Sequence, residues 1–169
     1  EVIAGKSANT AFSYYCDLRG FSRFMKRRRG LVPDDSEMKD IDPKGLDTAF
    51  WATVTKEDIY EYLYFLSREC GNKKSSTARR LASLHGFYDY LVNQVNRLDA
   101  DPTAAIHPPK QDKVLPKYLT AEQSIELLES TQTQSDFPER DYCMVVLFLN
   151  CGMRLAELVG MNLDDIDLE

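Results

Sequence analysis

Four prolines, Pro102, Pro108, Pro109 and Pro116, fall within the single stretch "DPTAAIHPPKQDKVLPKYL" (residues 101–119). Each lacks a backbone donor, and its ring clashes with the preceding turn of a helix, so no regular helix can run through this stretch. Asp101 before Pro102 suits a short helix start, cap then N1 proline. The remainder reads as an extended linker. The chain is therefore expected to fold as two parts, with the boundary near residues 107–117.

Both parts carry helical patterns. In "NTAFSYYCDLRGFSRFMKRRRG", Ala11, Tyr14, Leu18, Phe21 and Met25 recur at helical spacing. Asn9 or Thr10 can cap the start and Gly30 can close the end. Residues 31–54 are rich in Asp, Pro and Gly and read as a long loop, with one helical turn near "DTAFWA". "TKED" (Thr55 to Asp58) is a capping box, in which hydroxyl and carboxylate satisfy free N–H groups reciprocally. It opens a helix with Ile59, Leu63 and Leu66 inward, ending at "CGN". A third helix begins at "SSTARR", with Ser76 or Thr77 as its cap and Leu81, Leu84, Tyr88, Leu91 and Val95 as one stripe.

After the linker, "TAEQ" (Thr120 to Gln123) is a second capping box, followed by a helix bearing Ile125, Leu127 and Leu128. A helix from about Pro138 to Asn150 is apolar almost all round and is expected to be central. Gly152 breaks it, and a short helix over about Arg154 to Gly160 follows. "NLDDIDLE" turns extended, as if a sheet were starting, so the sequence is expected to continue past Glu169. The expected class is all-α, with no internal repeat.

The net charge of −6 argues at first against a polyanionic partner. Its distribution argues otherwise: residues 1–30 carry +5, 31–70 carry −6, 71–98 carry +4, 99–118 balance, and 119–169 carry −9. Local field, rather than total charge, decides where a phosphate backbone can sit. No apolar run approaches the roughly 20 residues of a membrane span. "EVIAGKSANT" lacks the basic and apolar regions of a secretory signal. Cys16, Cys70, Cys143 and Cys151 form no CxxC pair, and no histidine cluster completes a zinc site. Cys16, Cys70 and Cys143 fall on apolar helix faces. These thiols read as reduced and buried in a cytoplasmic protein, with no metal and no membrane partner expected.

Three clusters could carry chemistry. "KKSSTARR" places Lys73, Lys74, Ser76, Thr77, Arg79 and Arg80 around a helix N-terminus, where free N–H groups and a partial positive charge suit a phosphate. Arg79 and Arg80 could reach phosphates or guanine edges. A capped helix with solvated charges fits the same residues. "RFMKRRR" (Arg23 to Arg29) is a second basic block, and it too reads either as part of a cationic face or as a solvated helix end. Lys110, Lys113 and Lys117 make the linker basic. The nine tyrosines have no local activating group and read as packing residues. In "CGMRLAELVG", Arg154 could hold an oxyanion together with the helix N–H groups, with Glu157 fixing the guanidinium. A surface ion pair explains that pattern equally well.

The segments "SSTARRLASLHGFYDYL", "DPTAAIHPPKQDKVLPKYLTAEQSIELL" and "RDYCMVVLFLNCGMRLAELVGMNLDDID" together resemble the tyrosine recombinases, the phage-integrase and Xer-type enzymes. The resemblance covers roughly residues 8–167. It implies a SAM-like core-binding helical bundle (residues 1–106), a linker (107–118) and the first helices of a mainly α catalytic domain (119–169), with the two domains clamped on double-stranded DNA. Arg154 matches the first catalytic arginine, which binds the scissile phosphate, and Glu157 matches the acidic residue that supports it. The implied chemistry is attack by a tyrosine on a phosphodiester, giving a 3′-phosphotyrosyl enzyme, without metal or nucleotide cofactor. Other recombinase protomers are the implied partners in a synaptic complex. On the same pattern Lys73, Lys74, Ser76, Thr77, Arg79, Arg80, His85, Lys110, Lys113 and Lys117 are the expected DNA contacts.

Three departures matter. Cys151 stands where the family usually has threonine. His85 stands where it commonly has arginine or lysine, so one phosphate contact is expected to be weaker or pH-dependent. The family's catalytic lysine, its H-x-x-R motif, its last His/Trp and its nucleophilic tyrosine have no counterpart here, so the chain is expected to be inactive by itself. The alternatives are a DNA-binding regulator without catalysis and a helical protein-interaction module.

Overall fold

The computed structural model describes residues 7–108, 110 and 115–166. The chain divides into two compact units, Glu1–Asp112 and Lys113–Glu169. The described residues contain helices and turns but no strand, which agrees with the all-α expectation.

In the first unit, α1 (Ala8–Arg28) is capped by Ser7, whose hydroxyl accepts the Thr10 N–H at 3.2 Å. The cap lies ahead of Asn9 and Thr10, which are already helical. Gly30 closes the helix as expected. Its φ of +63° lets its own N–H reach the Arg27 carbonyl and the Leu31 N–H reach that of Lys26, a left-handed cap that a side chain would disfavour. A loop leads to α2 (Thr48–Ala52), the helical turn expected near "DTAFWA". Its Trp51 ring stacks on Phe21 and meets Phe87 edge-on.

The Thr55–Asp58 capping box opens α3 (Lys56–Arg68) as read from sequence. α4 spans Lys74–Asp89 and starts earlier than expected. The Thr77 N–H already donates to the Lys73 carbonyl, so Lys73 is the cap residue and no side chain caps this helix. Ser76 and Thr77 therefore lie in the first turn instead of capping it. α4 runs into a π-helical turn, Tyr90–Gln94. Residues 102–105 form turns, not a helix, pinned by the Thr103 N–H on the Asp101 carboxylate at 2.7 Å.

The core sits where α1, α3 and α4 meet. Phe21 and Met25, Ile59 and Leu66, and Leu81, Leu84 and Tyr88 are all essentially without exposure. Leu98 and Ile106, from the segment after α4, join the same cluster. Much of each apolar stripe read from periodicity thus meets here, with Leu18, Leu63 and Leu91 packed against it, while Ala11 is exposed.

The second unit contains α5 (Ala121–Gln134), α6 (Pro138–Cys151), α7 (Leu155–Gly160) and a 3-10 turn, Leu163–Asp165. The Thr120–Gln123 capping box starts α5, and Gly152, at φ +62°, ends α6. The 3-10 turn stands where extended chain was expected. α6 packs on α5, yet no described residue of this unit is fully buried. The expectation of a central helix is not met, because one neighbouring helix covers only one side of a helix that is apolar all round. The thiols differ from expectation too: Cys70, Cys143 and Cys151 are exposed and only Cys16 is partly covered. No described helix is long and apolar enough to cross a membrane.

One buried carboxylate ties α1 to α3. Asp58 is 2 % exposed and accepts from Arg28 Nε and from Arg29 at 2.7 Å each, and from the Thr55 N–H at 2.9 Å. Burial pushes its carboxyl up, but the Thr55 N–H and the two guanidiniums outweigh that and hold it below the ordinary aspartate value. A carboxyl lowered by folding stabilises the fold above the ordinary aspartate range, and that contribution is lost as pH falls through the folded value. Asp58→Asn should therefore lower stability by about 1–3 kcal/mol at neutral pH. Urea unfolding across a pH series should show the gap closing in strong acid.

Candidate nucleic-acid interface

The first turns of α4 bring the largest group of expected contacts onto one helix. Lys73 and Lys74 are exposed at its start. Thr77 is 6 % exposed and packs inward with Ala78 and Leu81, so its side chain is a core group and not a surface contact. Ser76 is partly covered.

Arg79 and Arg80 do not project freely. Asp17, in the middle of α1 and 3 % exposed, accepts from both Arg79 NH1 and NH2, the latter at 2.8 Å. Ser83 Oγ donates to the same carboxylate at 2.7 Å. Arg80 Nε lies 3.9 Å from it. A two-pronged guanidinium–carboxylate pair fixes orientation as well as charge. Half of the Arg79 side chain stays exposed, so the pair aims the guanidinium from behind and leaves its outer edge accessible. Sequence reasoning missed Asp17 and Ser83. A signal was present: Asp17 is the sole acid of α1, one turn before the core residue Phe21, which places it on the inward face.

His85 is engaged within the protein. Its Nδ1 lies 2.9 Å from the Thr103 hydroxyl and its Nε2 3.1 Å from the Ile106 carbonyl. With both nitrogens occupied, the ring joins the 101–106 segment to α4 and does not stand in for a phosphate-binding cation. Lys110 and Lys117 are exposed. Lys113 lies outside the described residues.

The second basic block is largely consumed by internal pairing. Arg23 donates to the Ile41 carbonyl, Arg28 to Asp58 and Glu61, and Arg29 to Asp58 and the Thr53 carbonyl. Arg27 lies over the Phe65 ring. Asp58 and Glu61, both in the acidic segment that follows, are paired in this way.

In the second unit, Arg154 is the residue just before α7. The Glu157 carboxylate accepts the Arg154 backbone N–H at 2.8 Å and its NH1 at 2.7 Å. The backbone bond and then the guanidinium lower the Glu157 carboxyl below the ordinary glutamate value. Glu157 thus occupies the N–H of the residue that precedes the helix. The guanidinium is 84 % exposed and, with five donors, has others to offer an anion. Among the described residues no cluster of potential ligands fits a metal ion.

The sequence pattern of the phage integrase family matches residues 117–169, and that of the phage integrase N-terminal SAM-like domain matches residues 44–95. The chain is 42% identical over 166 residues to tyrosine recombinase XerC of Caldanaerobacter subterraneus subsp. tengcongensis, covering 98% of this chain and 46% of that protein. It is 35% identical over 160 residues to tyrosine recombinase XerD of Halalkalibacterium halodurans, 90% of this chain and 53% of the relative. It is 34% identical over 167 residues to XerD of Listeria monocytogenes serotype 4b, 99% of this chain and 50% of the relative. The chain thus spans about half the length of the curated relatives it matches. No solved structure matches it.

The Arg154–Glu157 geometry makes its own prediction. In a carboxyl NMR titration Glu157 should titrate below an ordinary glutamate, and Arg154→Ala should move it back up. An unchanged Glu157 titration in that variant would show that the two do not pair in solution.

Proposed function

The chain belongs to the phage integrase family, the tyrosine recombinases, and from that premise we propose that it supplies the duplex grip and one phosphate ligand of a site-specific recombinase. In this reading residues 1–106 are the core-binding domain, 107–118 the linker, and 119–169 the beginning of the catalytic domain. The partner is double-stranded DNA in the cytoplasm, with further recombinase protomers in the synaptic complex. No cofactor is assigned.

The observation that carries the reading is the state of Arg154. It is highly exposed and held at a helix start by one carboxylate, in a chain that matches recombinases along nearly its whole length. A guanidinium fixed before the reaction can stabilise charge as it develops on nonbridging phosphate oxygens, without reorganising at that moment. Glu157 is then a positioning residue. Lys73 at the start of α4, the outer edge of Arg79, and Lys110 and Lys117 are assigned to the DNA backbone. Lys74, Ser76 and Arg80 flank them. Thr77 and His85 support this surface from beneath.

The tyrosines of the chain support a division of labour. Burial pushes the Tyr62 phenol up to about 12 and that of Tyr88 still higher, the opposite of what nucleophilic attack requires. These two are thereby set aside; since the chain spans about half the length of its relatives, the nucleophile is assigned to the part it does not span, and the isolated chain should form no covalent adduct on a nicked suicide substrate.

Duplex binding should be measured by fluorescence anisotropy over a range of salt. Log K should fall linearly with log salt. Lys73→Ala and Lys117→Ala should each weaken binding on all sequences alike and reduce the slope by about one. Absent or salt-insensitive binding would favour a helical protein-interaction module instead.

A further inference from the structure

One cation of α4 has its direction set by the fold. Asp17, buried in α1, accepts from both terminal nitrogens of Arg79 and from the hydroxyl of Ser83, itself 2 % exposed. The pairing is end-on: it uses one N–H on each terminal nitrogen, so three of the five N–H groups of the guanidinium remain, among them Nε–H. Nε–H and the neighbouring N–H of one terminal nitrogen make a second parallel fork on the flank, a shape that takes two oxygens of a phosphate. The Arg79 side chain is 51 % exposed.

The buried acid of α3 treats its arginines differently. Arg28 gives Nε to Asp58 and a terminal nitrogen to Glu61, and Arg29 gives one terminal nitrogen to both Asp58 and the Thr53 carbonyl. Those side chains keep 30 % and 37 % exposure. There the guanidiniums are spent on the fold. At Asp17 the acid takes only the end of the guanidinium, and the Ser83 hydroxyl fixes the carboxylate in turn. Lys73, exposed at the start of the same helix, is by contrast a point charge on a flexible stem.

Asp17 acts on an approaching phosphate in two opposed ways. Its negative charge weakens the attraction. Its two-pronged hold removes rotamer freedom that Arg79 would otherwise lose on binding. We propose that the second effect wins, and that Asp17 is a positioning residue for duplex binding: it presents the free flank of Arg79 to a backbone phosphate. The inference rests on the reading of the first unit as the duplex grip. Loss of the carboxylate then makes the chain less acidic and yet a weaker DNA binder, the reverse of what charge alone predicts.

Duplex affinity of the 169-residue chain should be measured by fluorescence anisotropy for the wild type, Asp17→Asn, Arg79→Ala and the double variant, each checked for folding by circular dichroism. Asp17→Asn removes one negative charge from a chain of net charge −6, yet it should weaken binding about threefold to tenfold, the cost of ordering one long side chain. In the Arg79→Ala background the same substitution should cause no further loss. Binding by Asp17→Asn that equals or exceeds the wild type would overturn the inference, since the acid would then only subtract charge. An equal weakening in the Arg79→Ala background would also overturn it, because the loss would then come from a damaged fold. Arg79→Lys keeps the charge and loses the fork. It should bind more weakly than the wild type at an unchanged salt slope, and wild-type affinity in this variant would refute positioning even if Asp17→Asn fails to fold. A wild-type chain that bound no duplex would instead bring down the reading of the first unit, and this inference with it, so the two failures are told apart.

Discussion

The pairing of Asp17 with Arg79 is the interaction on which the arrangement of the first unit turns. A carboxylate with 3 % exposure loses most of its hydration, and charge-assisted hydrogen bonds offset that loss. Arg79 and Ser83 supply them from one face of α4. The same bonds set the rotation of α4 against α1, and so decide which of its cations look outward. Asp58 does the corresponding work between α1 and α3, drawing in Arg28 and Arg29. Two buried acids thus sort the basic residues into those that hold the fold and those left for a partner.

That sorting explains what could and could not be read from the chain. Elements governed by local chemistry were legible. Both capping boxes, the left-handed glycines at 30 and 152, and the Leu81–Leu84–Tyr88 stripe appear as the sequence implied. Each depends on residues within a turn or two of one another. The fate of the charges was not legible, because their partners are distant in sequence: Arg79 reaches Asp17 across 62 residues and Arg29 reaches Asp58 across 29. The "KRRR" run looks like a free cationic face only while the acidic segment after it is treated as a separate block. In the fold its three arginines pair with Asp58, Glu61 and Glu69 of that segment. His85 follows the same rule, since its partners come from the segment after the π-turn.

The start of α4 shows how propensity yields to packing. Ser76 and Thr77 are good cap residues by type, yet capping there would have required Thr77 to turn its side chain toward the helix end. Its side chain is needed inside, and it is buried. The helix instead begins with two lysines and no side-chain cap. A helix N-terminus attracts anions, and the exposed Lys73 adds to that charge.

The two proposed anion-facing ends are therefore built on different principles. At α4 the helix lacks a side-chain cap and the adjoining arginine is restrained from behind by a buried acid. At α7 the helix has only six residues, its leading N–H is taken by Glu157, and the exposed guanidinium is the group left to attract charge. Glu157 lies close enough to neutralise Arg154 in the absence of a phosphate, and it is half exposed. A phosphate arriving at Arg154 needs only to share the guanidinium, because Glu157 retains its bond to the backbone N–H. A positioning carboxylate anchored in this way can hold the arginine's direction while giving up part of its charge. This is the property expected of a group that must be ready before substrate arrives and must not compete with it afterward.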